Sequence, residues 1–215
     1  MYNPPHFEET RPEVLGDLMR AHPLGTLVTL GAAGLDANHI PFEFIATPTA
    51  TAPHGTLHAH VARANAVWRD FDAARGALVI FQGPQAYITP TWYVETKPAT
   101  GKVVPTWNYC VVHAHGPLIV HDDRAWLRAQ VERLVRRHES TRPQPWAVAD
   151  APADYLEKQL AAIVGIEIPI TRLTGKWKVS QNRSAADRGG VASGLETSSS
   201  PDAAAMARMI REPGR

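Results

Sequence analysis

Cysteine is almost missing from this chain of 215 residues. Cys110 is the one thiol, so no internal disulfide and no multi-cysteine zinc site can form. It sits in an apolar stretch and reads as a small core residue rather than a reactive group. Long hydrophobic runs are missing too, none approaching the roughly 18 apolar residues that span a bilayer. The opening MYNPPHFEET is polar and proline-containing, unlike a signal or transit peptide, which makes the cytoplasm the expected compartment. Neither sign of charge is in excess: 22 basic and 21 acidic residues leave +1, so nothing global favours nucleic acid or an anionic membrane. Finally, no G-x-G-x-x-G, Walker loop, G-x-S-x-G or H-E-x-x-H motif occurs, and no helix offers a basic recognition face. Hydrolase, nucleoside-triphosphatase and helix-turn-helix readings therefore lack support.

What remains is ample for a core. A hydrophobic fraction of 44% with 20% charged residues suits one domain, or one with an appendage. The most informative stretch is Gly101 to Gly116, GKVVPTWNYCVVHAHG, which is too β-branched and aromatic for a comfortable helix. As a strand it places Trp107, Tyr109, Val111, His113 and His115 on one face and Thr106, Asn108, Cys110, Val112 and Ala114 on the other. Both faces are largely apolar, so the strand is expected to be covered twice and to continue past Gly116-Pro117 into Leu118–Val120. Its amide, hydroxyl and imidazole groups then need partners, from a ligand or a neighbouring subunit.

Around it the chain reads mostly as strands. Thr10-Arg11-Pro12-Glu13 reads as a helix start, with Thr10 as N-cap, Pro12 in the first turn and Glu13 reaching back, and the helix is expected to stop before Pro23. Strands are expected at 25–30, at 35–46 with an interruption at Pro41, and at 56–62. Asn65 to Phe71 suggests a short helix, and 76–81 with 85–89 a strand pair around Gly83-Pro84. Residues 90–102 read as a long, functionally interesting loop. Asp122 is expected to cap a helix over 123–138, and a second helix from Pro152 to carry Ile163 and Val164. A strand over 165–173 leads into Gly175–Asn182, and two weak helices flank TSSSP at 197–201. Strands joined by hairpins argue for an antiparallel sheet or barrel.

Three constellations could carry chemistry. His58 and His60, like His113 and His115, project in pairs from one side of a strand, compatible with metal or haem ligation or with hydrogen-bonded barrel histidines. No carboxylate or cysteine pattern accompanies them, so a dedicated protein-only metal site is not expected. Arg63 stands at a strand-to-helix corner, either clamping a phosphate or carboxylate or lying on the surface with Asn65 as a helix cap. Lys176, Lys178, Ser180 and Asn182 would share a side if extended, making either an anion cradle or an ordinary lysine-bearing strand edge.

MYNPPHF, ANHIPFEF, HVARANAVW, FQGPQAYITPTWY, KVVPTWNY, HAHG, IVGIEIPI and GKWKVSQNR together resemble the PaiB family, the FMN-binding negative transcriptional regulators. The resemblance runs from Met1 to about Arg183; Ala66 stands where the family commonly has proline, which softens a helix start. It implies a mainly β (α+β), antiparallel split β-barrel with peripheral helices over 1–183, followed by a helical tail at 184–215. It further implies a homodimer with cofactor sites at the subunit interface. FMN is the expected cofactor; haem b is the alternative, because the N–N bond-forming piperazate synthases, which act on N5-hydroxyornithine, are similar to PaiB. On that resemblance Arg63, Lys176 and Lys178 would hold the anionic end. Asn65, Asn108, Ser180, Gln181 and Asn182 would supply neutral hydrogen bonds, and Trp107 and Trp177 would wall the ring. His60, with His58 close behind, would be the axial ligand to haem. Direct DNA binding is not expected of a near-neutral chain.

Overall fold

Alternating apolar and polar positions build most of this molecule, whose computed structural model describes residues 1–212. In chain order the elements are β1 (Glu8–Glu9), α1 (Pro12–Ala21), β2 (Leu24–Gly31), β3 (Gly34–Pro41), β4 (Glu43–Ile45), β5 (Thr56–Ala62) and β6 (Ala77–Ile88). There follow α2 (Thr96–Thr100), β7 (Thr106–Gly116), β8 (Ile119–His121), α3 (Arg124–Glu139), α4 (Ala153–Ala161), β9 (Ile163–Pro169), β10 (Arg172–Lys178), α5 (Ala185–Glu196) and α6 (Pro201–Arg211). No helix among the described residues is long and apolar enough to cross a membrane. The chain divides into two compact units, and β6 and β7 each contribute residues to both.

The first unit comprises 1–22, 81–112 and the residues from Thr174 onward. Its strands run in the order β1-β10-β7-β6, with Glu8 opposite Lys176 and Glu9 opposite Gly175. Gly175 admits α1, since a Cβ there would lie 2.2 Å from Leu15 Cδ2. Helices α5 and α6 bury Val191, Leu195, Met206 and Ile210 completely or nearly so. They fall in the segment expected to be a helical tail at 184–215, whose last three residues lie outside the described ones.

The second unit comprises 23–80 and 113–173. It contains the run β6-β2-β3 and a four-stranded sheet, β4-β5-β9-β8. In β5 the pattern TLHAHVA buries Leu57, Ala59 and Val61, leaving His58 and His60 on the opposite face. Leu57, Ile166 and Ile168 have no exposure at all; burying each side chain contributes about 1.5–3 kcal/mol. Helix α3 is capped by Asp123, which accepts from the Trp126 N–H at 2.8 Å. A smaller cluster of Leu127, Val148, Leu156 and Leu160 closes around Trp126, Val131, Val135 and Ile163.

Several sequence expectations are corrected. Helix α1 has Arg11 at its N-cap without a side-chain cap bond, because Arg11 and Glu9 pair instead and Thr10 is left outside. Gly83-Pro84 is no turn: β6 runs straight through, with Gly83 tight against Leu18 and Cys110. The expected helix at 65–71 is a single 3₁₀ turn, Ala66–Trp68. The long loop at 90–102 holds a 3₁₀ turn, Pro90–Trp92, and α2. Ile163 and Val164 leave the helix for β9, as their β-branching favours. The expected strand at 165–173 is two strands, β9 and β10, in different sheets. Strand β7 begins at Thr106, directly after the proline stop at Pro105, and is covered fully on one face but only in part on the other, where Val111 alone is buried. Asn108, Cys110, Val112 and Ala114 are buried, whereas Trp107 is 48% exposed and Tyr109, His113 and His115 are partly so. It also ends at Gly116, whose successor Pro117 has no N–H to continue the ladder.

Candidate functional site

Two polar clusters answer to the residues singled out by the sequence, one in each unit. In the first unit, β10 ends at Lys178 and the chain turns sharply at Ser180, the only described non-glycine residue with positive φ (63°). Two bonds from Gln181 lock that turn: its amide oxygen accepts from the Val179 N–H at 2.8 Å, and its amide nitrogen donates to the Trp177 carbonyl at 2.5 Å. Ser180 thereby faces β7, where Asn108 donates to its hydroxyl oxygen at 2.9 Å with both residues buried. Lys178 donates to the Thr106 hydroxyl at 2.5 Å. Lys176 is buried, donates to the Tyr2 carbonyl at 3.0 Å and sits over the Tyr2 and Tyr109 rings at 5.6 and 5.3 Å.

The electrostatics of this corner are unbalanced. Among the described residues no carboxylate pairs with Lys176 or Lys178. Burial pushes the Lys178 ammonium below the usual lysine range, and the charges of Lys176 and Arg183 push it further. Arg183 stacks on Tyr93, 4.6 Å from the ring centre. Trp177 lies beside Gly175, Asn182 is exposed, and Trp107 donates its indole N–H to Gln85 at 3.1 Å. The expected single side carrying Lys176, Lys178, Ser180 and Asn182 does not persist, because the positive φ at Ser180 ends the alternation.

In the second unit the ladder aligns charged groups across strands. Glu43 and Glu167 both stand opposite His58, and His60 and His121 both stand opposite Gly165. Helix α3 covers this face, and Gly165 permits it, since a Cβ there would lie 2.3 Å from the Trp126 ring. Trp126 stacks flat on His121 at 4.2 Å. Arg133 reaches down to Glu43 at 3.0 Å and donates to His58 Nδ1 at 3.0 Å, while Glu167 takes His121 Nε2 at 2.7 Å. Burial holds the His58 imidazole below its ordinary range, although Glu167 pulls the other way. His60 Nδ1 meets Gln130 Oε1 at 2.8 Å, and the Gln130 amide nitrogen is buried with no partner.

Arg63 is committed within this unit. It donates to the carbonyls of Ala161 and Ile163 at 2.8 and 3.0 Å and forks onto Asp122. Asn65 caps the 3₁₀ turn by accepting from the Val67 N–H and donates to Asn38. The surface-and-cap alternative describes these two contacts well. Sequence reasoning did not single out Thr106, Gln130, Arg133, Glu167 or Trp126. Thr106, Gln130 and Arg133 meet partners 70 or more positions away, Glu167 meets His121 46 positions away and Trp126 stacks on nearby His121. Only the strand periodicity of Glu167 could have flagged any of them.

The model of the family described as "Putative FMN-binding domain" matches residues 1–172. An uncharacterized protein of Emericella nidulans is 37% identical, covering 96% of this chain and 94% of its own. The protease synthase and sporulation protein PAI 2 of Bacillus subtilis is 31% identical, covering 99% of this chain and 97% of its own. Among solved structures, the FAD and heme binding protein from Mycobacterium smegmatis superposes with a TM-score of 0.52 at 18% identity, covering 80% of this chain and 73% of that one. The fold is an antiparallel split β-barrel with peripheral helices, as the resemblance implied.

Proposed function

Since this chain belongs to the FMN-binding-domain family over residues 1–172, we propose that it is a flavoprotein whose bound FMN serves an oxidoreductase-like or regulatory role. The observation that carries the reading is the positive charge of Lys176 and Lys178, unpaired among the described residues, beside the buried polar groups of Asn108 and Ser180. Such a corner fits a phosphate, whose negative charge would offset the burial, and the repulsion from Lys176 and Arg183, that hold the Lys178 ammonium down. Asn108 lies within the family match, and Lys176, Lys178 and Ser180 lie beyond it in a chain of which the Bacillus relative covers 99%. FMN, when bound, supplies electron transfer; the chain binds its phosphate and walls its ring with Trp107 and Trp177. Regulation by direct DNA contact is disfavoured, because a net charge of +1 leaves little phosphate-neutralising affinity. Purified protein should carry a flavin absorption spectrum and release FMN on denaturation. A colourless protein that takes up no added FMN would reject the reading.

The same reading makes the protein a homodimer. On β6 and β7, Tyr87 (51% exposed) and Trp107 (48%) form an edge-to-face pair at 6.1 Å, a large aromatic patch suited to a second copy of the chain. Trp107→Glu is expected to convert the dimer to monomer by light scattering. An unchanged mass would remove this surface from the interface.

Haem is the second reading, favoured by one contact. With Gln130 Oε1 accepting from Nδ1–H, His60 keeps Nε2 as its lone-pair nitrogen, the arrangement that orients axial histidines. The mycobacterial neighbour, a FAD and heme binding protein, pairs both kinds of cofactor with a similar fold. If this protein takes up haem, His60→Ala should abolish the Soret band of the reconstituted protein while leaving FMN content intact. A band that survives the substitution would remove His60 as ligand.

A further inference from the structure

The HAHG motif is absorbed by neither reading, yet it borders a cavity of about 380 Å³ in the second unit. Arg75, Gly76, His115, Gly116, Thr171 and Arg172 are among the residues lining it, and no carboxylate is. Thr171 ties the Arg172 turn to the end of β7, donating to the His115 carbonyl from its N–H at 2.9 Å and its hydroxyl at 3.2 Å. At Gly76 and Gly116 backbone packs directly on backbone. A Cβ on Gly76 would come 2.8 Å from the Gly116 carbonyl oxygen, and one on Gly116 would come 2.0 Å from that of Pro169. Arg172 forms no ion pair among the described residues, and Arg75 reaches Asp72 only at 3.9 Å with its side chain 75% exposed. Asp72 is also engaged by the Ala74 N–H at 2.9 Å. Burial, then Arg172 and His113, push the His115 imidazole down to about 4. At neutral pH the ring therefore adds no third charge but keeps an N–H to donate.

We propose that this cavity binds the phosphate monoester end of a small metabolite, held by the Arg172 and Arg75 guanidiniums with His115 as a neutral hydrogen-bond donor. Two forked cations around a concave floor match a dianion with three terminal oxygens better than a single carboxylate. The cavity's size and the near-neutral chain argue for a small ligand over a nucleic-acid backbone. The site shares no residue with the Lys176 and Lys178 corner, and the proposal does not rest on that corner.

The test is calorimetry on the full-length protein, as purified with its FMN content measured, using inorganic phosphate, AMP, succinate and a DNA duplex. Inorganic phosphate and AMP should bind and succinate should bind at least tenfold more weakly. Arg172→Gln should weaken AMP about tenfold or more, whereas Arg128→Gln, an exposed pair with Glu132 on α3, should not. In the unsubstituted protein, AMP should shift the His115 imidazole resonances, a readout that does not depend on any variant folding. The proposal is overturned by any one of four results: no phosphate binding; equal binding of succinate; binding of the duplex alone; or AMP that displaces FMN, which would make the two sites one.

Discussion

Asp187→Ala should lower the unfolding free energy by about 2–4 kcal/mol, the cost of orphaning several charge-assisted hydrogen bonds at a buried site. Asp187 has no exposure, and one of its oxygens accepts the N–H groups of Glu95 and Thr96 at 2.9 and 3.2 Å. The other accepts the Thr96 hydroxyl at 2.5 Å. The start of α2 is thus held by a carboxylate borrowed from α5, whose own first turn Ser184 caps by accepting from the Asp187 N–H at 3.3 Å. Burial works to raise the carboxyl, but the Thr96 hydroxyl and the two N–H groups outweigh it and hold Asp187 below the ordinary carboxylate range. A depressed folded value means the stabilisation is complete above the unfolded carboxyl value, about 3.9, and fades as pH falls through the lower folded value. Urea unfolding should therefore show a difference between native protein and Asp187→Ala at pH 7 that shrinks below about pH 4. A difference under about 0.5 kcal/mol at pH 7, within the range of ordinary surface substitutions, would show that α2 is held by something else.

Lys178→Gln should weaken FMN about 10- to 100-fold, the worth of one hydrogen bond to a charged group, about 1.5–3 kcal/mol. The glutamine amide can still donate to the Thr106 hydroxyl that Lys178 now holds, so the substitution should leave β7 and β10 in place. Because burial, Lys176 and Arg183 disfavour the charged ammonium, it deprotonates below the ordinary lysine range in the absence of an anion. Affinity for FMN should therefore fall as pH rises through that lowered value, and the glutamine variant should lose this dependence. Flavin fluorescence titration across alkaline pH measures both. Lys158→Gln on α4, 77% exposed and loosely paired with Asp154, is the control and should match the native protein. Equal affinity in Lys178→Gln would remove this corner from the phosphate site.

How much of this was legible in the residues differs from place to place. Strand β5 follows its alternation to the residue, and the helices at 12–21 and 124–139 fall where apolar spacing puts them. Gly83-Pro84 misled because glycine and proline commonly mark turns, and nothing local announces that a strand continues through them. Thr10 misled because its neighbours Glu9 and Arg11 prefer each other, bonding through both guanidinium and carboxylate. Lys176, Lys178 and Ser180 were recognisable as polar groups of one short stretch, but the turn at Ser180 that aims its hydroxyl at Asn108 was not.

The sequence by itself determined the antiparallel β character, the lack of cysteine chemistry and the family, because these rest on composition, period and long local motifs. Tertiary structure alone decided what each polar side chain does. It stood Glu43 and Glu167 opposite His58 across three strands, and it set Gln130 on His60 across 70 positions of chain. It also left Lys176 and Lys178 without acidic partners among the described residues. Hydrogen bonds and ion pairs act over a few ångströms, and only the folded register says which distant residues come that close.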